Sequence, residues 1–573
     1  MPSQLDLDLE RAFERHYVPG GLLEVAPVHM ARFGVDMPAL VQSPPALPQY
    51  LAQFCAANAD KEFIVDGPLR LTFAQAYAAA REAAGGLVAG HGVKVGDFVG
   101  IAARNSANWI VAYMAVLMAG GCATLLNGWW QGGEMVDAIV LGPCKLVLAD
   151  AARAKRLDGL DHGATIVLFD HDCAPAQGLA SLTAKGGGSD TALPEVSGDD
   201  RATMLFTSGS TGQSKGAWSD HRGVTQATMN YLAQSIAVLG LMEERGTLPS
   251  SQPTALVNVP LFHVTGEVPL LLQSYALGRK LVLMPKWDAG EAMRLIEAET
   301  ITYFVGVPLM SYEIATHPDK DKYDLSSCVT FAAGGAPRPA EHVTRLREAL
   351  PHSFPILGYG LTETNGVGAG NFNENYMAKP GSTGRASPPL AELGILDPDN
   401  TEGDGKLLPQ GTIGEVCIRS ICNFVGYWNN DAATREAFTA DGWFRSGDLG
   451  YLDEDAYLYI VDRKKDIIIR GGENISSIEV ETALYAHPDV AEASVFGLPD
   501  ERFGEVPAAV YLAEEGRTLD PEALRAFVAK EIAPFKVPAK FWQVHEPLPR
   551  LGTEKVDKRA LRTRYAAEWE GSA

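Results

Sequence analysis

Positive charge is scarce in this chain. Its 48 lysines and arginines face 71 aspartates and glutamates, a formal net charge of −23. A protein that grips a phosphate backbone needs a dense basic face, so this balance excludes a nucleic-acid partner. It leaves room for a local basic pocket that holds a nucleotide. Cysteine is sparse as well: Cys55, Cys122, Cys144, Cys173, Cys328, Cys417 and Cys422 are scattered, odd in number and include no C-x-x-C pair. That excludes a disulfide framework and a cysteine zinc site, and it suits a reducing, cytoplasmic compartment. A signal core is missing too, because the opening MPSQLDLDLERAFERHYV is charged throughout.

Long apolar runs are also few. The one to weigh is Trp109 to Leu126, 18 residues without a charge, close to the lower limit for a membrane span. Gly120-Gly121 divides it into a helical half and a strand-like half. The expectation is a buried helix running into a buried strand. No transmembrane segment is expected, and membrane contact is peripheral at most.

With 573 residues the chain exceeds what one core organises, so two or more domains are expected. Residues 1–45 read as an irregular arm ending in Ser43-Pro44-Pro45. From about 50 to 185, and again from 224 to 380, helical patterns alternate with short Val/Ile/Leu runs such as Phe98–Ile101, Thr254–Val259, Lys280–Met284, Tyr303–Val307 and Cys328–Ala332. This alternation marks an α/β fold with mainly parallel strands. From 380 to 460 short strands with turns mark a small β subdomain. The charged run Asp462-Arg463-Lys464-Lys465-Asp466 reads as a linker, and an α+β unit follows. The expected division is 1–462 and 463–573.

The chemistry gathers first in Thr207-Ser208-Gly209-Ser210-Thr211-Gly212-Gln213-Ser214-Lys215-Gly216, which follows the strand-like Ala202–Phe206. Glycines let backbone N–H groups approach phosphate oxygens, hydroxyls add donors, and a lysine adds a mobile charge. The spacing is not that of a Walker A loop: Ser214 stands where that motif needs glycine, and Gly216 where it needs Ser or Thr. Ala332-Ala333-Gly334-Gly335-Ala336-Pro337 lets a flat ring lie against backbone. Tyr359-Gly360-Leu361-Thr362-Glu363-Thr364 sets an aromatic face, a hydroxyl and a carboxylate within six residues. A carboxylate beside phosphates needs a cation between them, which points Glu363 toward Mg²⁺; the alternative is a solvated glutamate at a helix start. Asp448 in Arg445-Ser446-Gly447-Asp448-Leu449-Gly450 could accept from a ribose diol or simply form the turn. Pro549–Lys558 offers Lys555 on a loop.

In order and spacing, TSGSTGQSKG, VPLFHVTG (259–266), AAGGAP, YGLTET, GWFRSGDLG (442–450), VDRKKDIIIRGGENIS (461–476) and PRLGTEKVDK (549–558) resemble the adenylate-forming superfamily of acyl-CoA synthetases, adenylation domains and firefly-type luciferases. The resemblance covers roughly residues 50–565. It implies an AMP-forming acyl-CoA synthetase: a fatty, aromatic or alicyclic carboxylate attacks Mg·ATP to give an acyl-adenylate, and a thiol then releases AMP. By the same resemblance Thr207, Ser208, Gly209, Ser210, Thr211, Gly212 and Lys215 grip phosphates, Gly335, Ala336 and Pro337 line adenine with Tyr359 on its face, and Thr362 meets the α-phosphate. Glu363, with Thr207, holds Mg²⁺; Asp448 and Arg463 hold ribose or phosphate; Lys555 bridges the acid and the α-phosphate.

The resemblance further implies an acyl pocket at Phe262, His263, Glu267, Gly306, Val307, Gly334, Gly358, Gly366 and Val367. In it Glu267 either favours a polar or cationic acid at the pocket mouth or is merely solvated. The C-terminal unit is expected to pivot at Lys465, exchanging Lys555 for the Gly471-Gly472-Glu473-Asn474 loop in the thiol step, so that Lys465→Pro spares adenylation and damages thioester formation. Coenzyme A is the expected acceptor, since only 15 residues follow Lys558. The partners implied are a small acid, ATP and CoA, with a homodimer as the assembly to test. A carrier-protein acceptor or a non-catalytic acyl-adenylate sensor stay open. Ser214, Glu554 and Thr383 depart from the family pattern, where proline, glycine and valine are usual.

Overall fold

The structure, a computed structural model, describes residues 3–207, 214–334, 340–399, 405–514, 516–551 and 555–570. Two large sheets form the body. In one, Thr165–Leu168, Leu146–Ala149, Phe98–Ala102, Cys122–Leu125 and Arg201–Thr207 run parallel, and Lys215–Asp220 and Gly426–Tyr427 extend the far edge in antiparallel pairs. In the other, Phe354–Tyr359, Thr330–Gly334, Tyr303–Gly306, Thr254–Val257, Lys280–Leu283 and Glu62–Asp66 run parallel between antiparallel edges. Strands such as Leu146–Ala149 and Thr254–Val257 are buried at every position, as expected of parallel strands covered on both faces.

The apolar run at 109–126 behaves as its glycines dictate. Ser106 caps the helix Ala107–Met118 by accepting from the Trp109 N–H, and every residue of that helix is buried. Gly120 turns the chain at φ +80°, a conformation that costs glycine little, and the buried strand Cys122–Leu125 follows. Among the described residues no helix is long and apolar enough to cross a membrane.

The N-terminal arm corrects an expectation, for it is not irregular. Gln4–His16 is a helix opened by a Ser3–Asp6 capping box, and Val25–Met30 pairs with Val35–Leu40 as a hairpin. The S-x-x-D signature of the helix start was there to be read; the tertiary anchors were not. Asp6 accepts from the Tyr457 hydroxyl at 2.9 Å and from the Asn375 amide at 2.9 Å. Gln226 brackets the Leu40 backbone, accepting its N–H at 2.9 Å and donating to its carbonyl at 3.0 Å.

Two smaller sheets complete the chain. Glu392–Leu396, Gly414–Arg419, Phe444–Leu452 and Leu458–Arg463 form an antiparallel four-stranded sheet. Ile468–Arg470, Glu473–Ile475, Val490–Asp500, Gly504–Ala513 and Lys540–Val544 form the last, over a core of its own that includes Ile475, Val480, Val495, Tyr511 and Val528. One sheet ends at Arg463 and the next starts at Ile468.

Candidate active site

Thr207 and Lys215 face one another across the first hairpin pair. The phosphate-loop residues between them, Ser208, Gly209, Ser210, Thr211 and Gly212, lie outside the described residues, as do Gly335, Ala336 and Pro337. Lys215 Nζ stands 4.7 Å from the Tyr427 ring centroid, and the Tyr427 hydroxyl donates to Glu363 Oε1 at 2.8 Å. Glu363 sits on the 3₁₀ turn Thr362–Thr364. Asn365 follows at φ +50°, donating to the Cys422 carbonyl and accepting from Ser219. The Phe424 N–H closes the ring of contacts on the Glu363 carbonyl at 2.8 Å. Glu363 is buried, which excludes the solvated alternative. Burial raises its carboxyl, opposed by the Tyr427 hydrogen bond and the charges of Arg463 and Lys215.

Asp448 forms the second polar centre. Its residue is 4% exposed; Oδ2 accepts from the Tyr359 hydroxyl at 2.8 Å, and Oδ1 lies 3.0 Å from Arg463 Nε. Ser446 Oγ accepts from the Asp448 N–H, fixing the turn. Burial, then the Asp448 charge, push the Tyr359 phenol well up.

Lys555 reaches this centre from the C-terminal unit. Its loop is closed by the Leu551 N–H on the Lys555 carbonyl at 2.8 Å and by the Asp557 N–H on the Pro549 carbonyl at 2.7 Å. The side chain is half-buried and lies in the fields of Arg463, Asp448, Glu363 and Lys465. Burial first, and Arg463 next, bring its ammonium down to about 8. His263 feels the same charge: burial first, and then the Lys555 charge, bring its imidazole down to about 3. The Lys555 charge therefore acts on Asp448, Glu363 and His263 alike. The Gly471-Gly472 hairpin of the same unit, at φ +61° and +90°, is left in solvent with Glu473, as is Lys465.

Three residues expected to line an acyl pocket are placed otherwise. Gly306 is buried, and a side chain there would meet Met310 Sδ at 3.0 Å and Phe304 Cε1 at 3.1 Å, so this glycine faces the Phe304 side of the sheet. Val367 is fully buried in the main core. Glu267 is neither solvated nor at a mouth: it is 0% exposed, Oε1 accepts from the Tyr113 hydroxyl at 2.8 Å, and Oε2 has no partner. Burial holds its carboxyl up at about 7. Its direction follows from a π-helical turn, Glu267–Leu272, around Pro269, which has no N–H to give the helical ladder. Thr265 and Pro269, four residues apart, keep the accessible surface instead. They were missed, although that spacing puts both on one face of a helix.

Of the other residues expected in the pocket, the structure pairs Gly334 with Gly358 and sets Gly366 beside Tyr231, Val264 and Pro269. Phe262 is 8% exposed, and His263 and Val307 are half-buried. Gly358 is exposed and in register with Gly334. Gly366, at φ +80°, is closely packed, since a Cβ there would meet Tyr231 Oη at 3.2 Å and Val264 Cγ2 at 3.6 Å, and its carbonyl accepts from the Tyr231 hydroxyl at 2.5 Å.

This arrangement has counterparts. A family model described as "AMP-binding enzyme" matches residues 51–428, and one described as "AMP-binding enzyme C-terminal domain" matches residues 479–555. The chain belongs to the AMP-binding enzyme family. A 2-succinylbenzoate–CoA ligase of Bacillus licheniformis is 31% identical to it over 516 residues, 90% of this chain and 99% of that one. The long-chain-fatty-acid–CoA ligase FadD13 of Mycobacterium tuberculosis is 31% identical over 499 residues, 87% and 94% of the two chains. Among solved structures, the o-succinylbenzoate CoA synthetase MenE of Bacillus subtilis, in complex with ATP and magnesium, superposes with a TM-score of 0.76 at 27% identity, covering 91% of this AMP-binding enzyme and 99% of MenE.

Proposed function

We infer that this AMP-binding enzyme is an acid–thiol ligase: it activates a carboxylic acid with ATP to an acyl-adenylate and passes the acyl group to coenzyme A. The observation that carries the reading is the pair of hydrogen-bonded carboxylates, Asp448 held by Tyr359 and Glu363 held by Tyr427, with Lys555 close enough for its charge to act on them and on His263. An organic carboxylate and an α-phosphate repel as they approach. A positive charge about 4 Å from each offsets that by roughly 4 kcal/mol per contact at an effective dielectric near 20. No enzyme nucleophile is required, so positioning and charge carry the step.

Each remaining side chain has a place in this scheme. Asp448, backed by Tyr359, accepts from the ribose hydroxyls, Arg463 adds charge beside them, and Lys215 reaches the outer phosphates. Glu363 is a hard-oxygen donor, buried and already oriented by Tyr427, which fits Mg²⁺; with Thr207 it would hold the ion. The ion neutralises phosphate charge when bound. The His263 side of the cleft receives the acid.

We take residues 1–462 as the nucleotide- and acid-binding part and 463–573 as the movable part, with Lys465 at the pivot and Gly471-Gly472-Glu473 as the loop that serves the thiol step. The cysteines, all free thiols, support a cytoplasmic location, and the FadD13 likeness supports a place in fatty-acid metabolism. The test is a panel of fatty, aromatic and alicyclic acids scored for ATP-dependent pyrophosphate release with and without CoA. Thioester formation on free CoA is expected. Pyrophosphate release without any CoA thioester favours a carrier-protein acceptor, and no acid-dependent release refutes the reading.

A further inference from the structure

The hairpin of Val25–Met30 and Val35–Leu40 lies ahead of the AMP-binding match, which begins at residue 51. Its tip reaches the support of Glu363 all the same. The turn is closed by the Phe33 and Gly34 N–H groups on the Met30 carbonyl, each at 2.9 Å, and it presents Arg32. Arg32 Nη1 donates to the Val425 carbonyl at 2.9 Å, and Nη2 donates to the Phe424 carbonyl at 3.1 Å. A guanidinium carries its donors in a fixed fork and can hold two successive carbonyls at once, which a lysine ammonium does poorly. The fork is itself held in place. Arg32 Cζ lies 4.4 Å from the Phe33 ring centroid and 5.1 Å from that of Phe438, and Phe438 stacks with Phe424 at 5.5 Å.

The segment that Arg32 holds is the one that holds Glu363. The Phe424 N–H donates to the Glu363 carbonyl at 2.8 Å, and the Tyr427 hydroxyl donates to Glu363 Oε1 at 2.8 Å. Between them the Val425 N–H donates to the Trp218 carbonyl at 2.9 Å, and Gly426 and Tyr427 pair with the strand Lys215–Asp220. Residues 424–427 are therefore fastened twice over. Their N–H and hydroxyl groups go to Glu363 and the sheet, while two of their carbonyls go to Arg32. A carbonyl that loses its donor must find another, and the backbone that carries it shifts to do so.

We propose that Arg32 is a positioning residue for the Mg²⁺ site: by clamping Phe424 and Val425 it keeps the Tyr427 hydroxyl on Glu363, so that a hairpin ahead of residue 51 sets how tightly Mg·ATP is held. This rests on the reading of Glu363 as the Mg²⁺ ligand given above. Arg32 touches neither nucleotide nor acid in that reading and acts through residues 424–427.

The test uses the full-length chain with four variants: Arg32→Met, Arg32→Lys, Tyr427→Phe, and Arg32→Met combined with Tyr427→Phe. Methionine removes both hydrogen bonds and keeps an apolar side chain against Phe33 and Phe438. The first readout is binding, with ATP titrated calorimetrically at fixed Mg²⁺ and again in EDTA. Arg32→Met should weaken ATP binding in Mg²⁺ by about fivefold, since partners behind a metal ligand are worth about 10- to 100-fold and Arg32 stands one contact further out. Binding in EDTA should stay within about twofold, and Arg32→Lys should recover part of the loss. Arg32→Met should cost less in the Tyr427→Phe background than alone, because both act on one carboxylate. In turnover, the Mg²⁺ concentration for half-maximal pyrophosphate release should rise by the same factor, with the KM for the acid unchanged.

Wild-type affinity for Mg·ATP in Arg32→Met overturns the proposal. So does an equal loss with and without Mg²⁺, which marks a strut of the fold, and so does full additivity with Tyr427→Phe. Should Arg32→Met fail to fold, Arg32→Lys alone and combined with Tyr427→Phe decides on the same criteria. ATP binding by the wild type that ignores Mg²⁺ refutes the Glu363 reading and the proposal with it. A chain silent on every acid that still shows the Mg²⁺-dependent loss refutes the ligase reading alone.

Discussion

Arg463 and Asp448 are register partners on adjacent antiparallel strands, and Arg463 Nε lies 3.0 Å from Asp448 Oδ1. The carboxylate is thereby held by a residue that ends its own sheet, next to the short 464–467 connection. Tyr359 fixes the other oxygen. Replacing Asp448 by alanine removes the acceptor proposed for the ribose and leaves Tyr359 and Arg463 without their anion. A hydrogen bond to a charged group contributes about 2 kcal/mol, so the KM for ATP should rise roughly tenfold or more. Initial rates of pyrophosphate release against ATP concentration check it. An unchanged KM would count against the assignment.

Lys555 links pH to the first half-reaction. Its ammonium is depressed to about 8 in the free protein, so the charged fraction falls as pH rises through 8. Acyl-adenylate formation under kcat/KM conditions should therefore decline above about pH 8, because that parameter reports the free enzyme. Bound ATP and carboxylate favour the charged form, so kcat should decline at higher pH. Lys555→Arg should abolish the limb, and Lys555→Ala should lower the adenylation rate on the order of a hundredfold. A profile that is flat from pH 7 to 9 would exclude this role.

Tyr427 orients Glu363 and touches nothing else proposed for the acid. Partners that orient a metal ligand are commonly worth about 10- to 100-fold in metal affinity. Tyr427→Phe should thus raise the Mg²⁺ concentration for half-maximal rate by on the order of tenfold and restore most of the rate at saturating Mg²⁺. A loss that Mg²⁺ cannot rescue would argue for a structural role alone.

Glu267 predicts a pH-dependent stability. Its carboxyl titrates near 7 in the folded chain against about 4.3 when unfolded. Between these values the folded state holds a proton that the unfolded state has released, so stability falls as pH rises from about 4.5 to 7 and stays lower above. Glu267→Gln removes that slope and keeps an acceptor for Tyr113. It should melt with the wild type at pH 5 and above it at pH 8, by up to about 3 kcal/mol. Thermal unfolding at both pH values measures this, and equal shifts at both would refute it.

The residues proposed for the nucleotide were legible as candidates because they stand in short contiguous motifs: Glu363 beside Thr362, Asp448 beside Gly447, Lys555 on its loop. Strand centres such as Tyr303–Gly306 were legible from continuous apolar runs. Side-chain direction was not. The outward reading of Glu267 failed because a π-helical turn rotates it onto Tyr113, and Gly306 failed because alternation along its strand aims it at Met310. The N-terminal helix had its capping signature in Ser3 and Asp6, but its value comes from Tyr457 and Asn375, hundreds of residues away.

The brevity of the stretch between Arg463 and Ile468 sets a mechanical limit on the tail. If the unit pivots as proposed, four residues would give rotational freedom with almost no slack, so the lysine loop and the glycine hairpin would both stay tethered near the cleft at high local concentration. Lengthening that tether should slow turnover by diluting both loops alike, without altering a single contact inside the cleft.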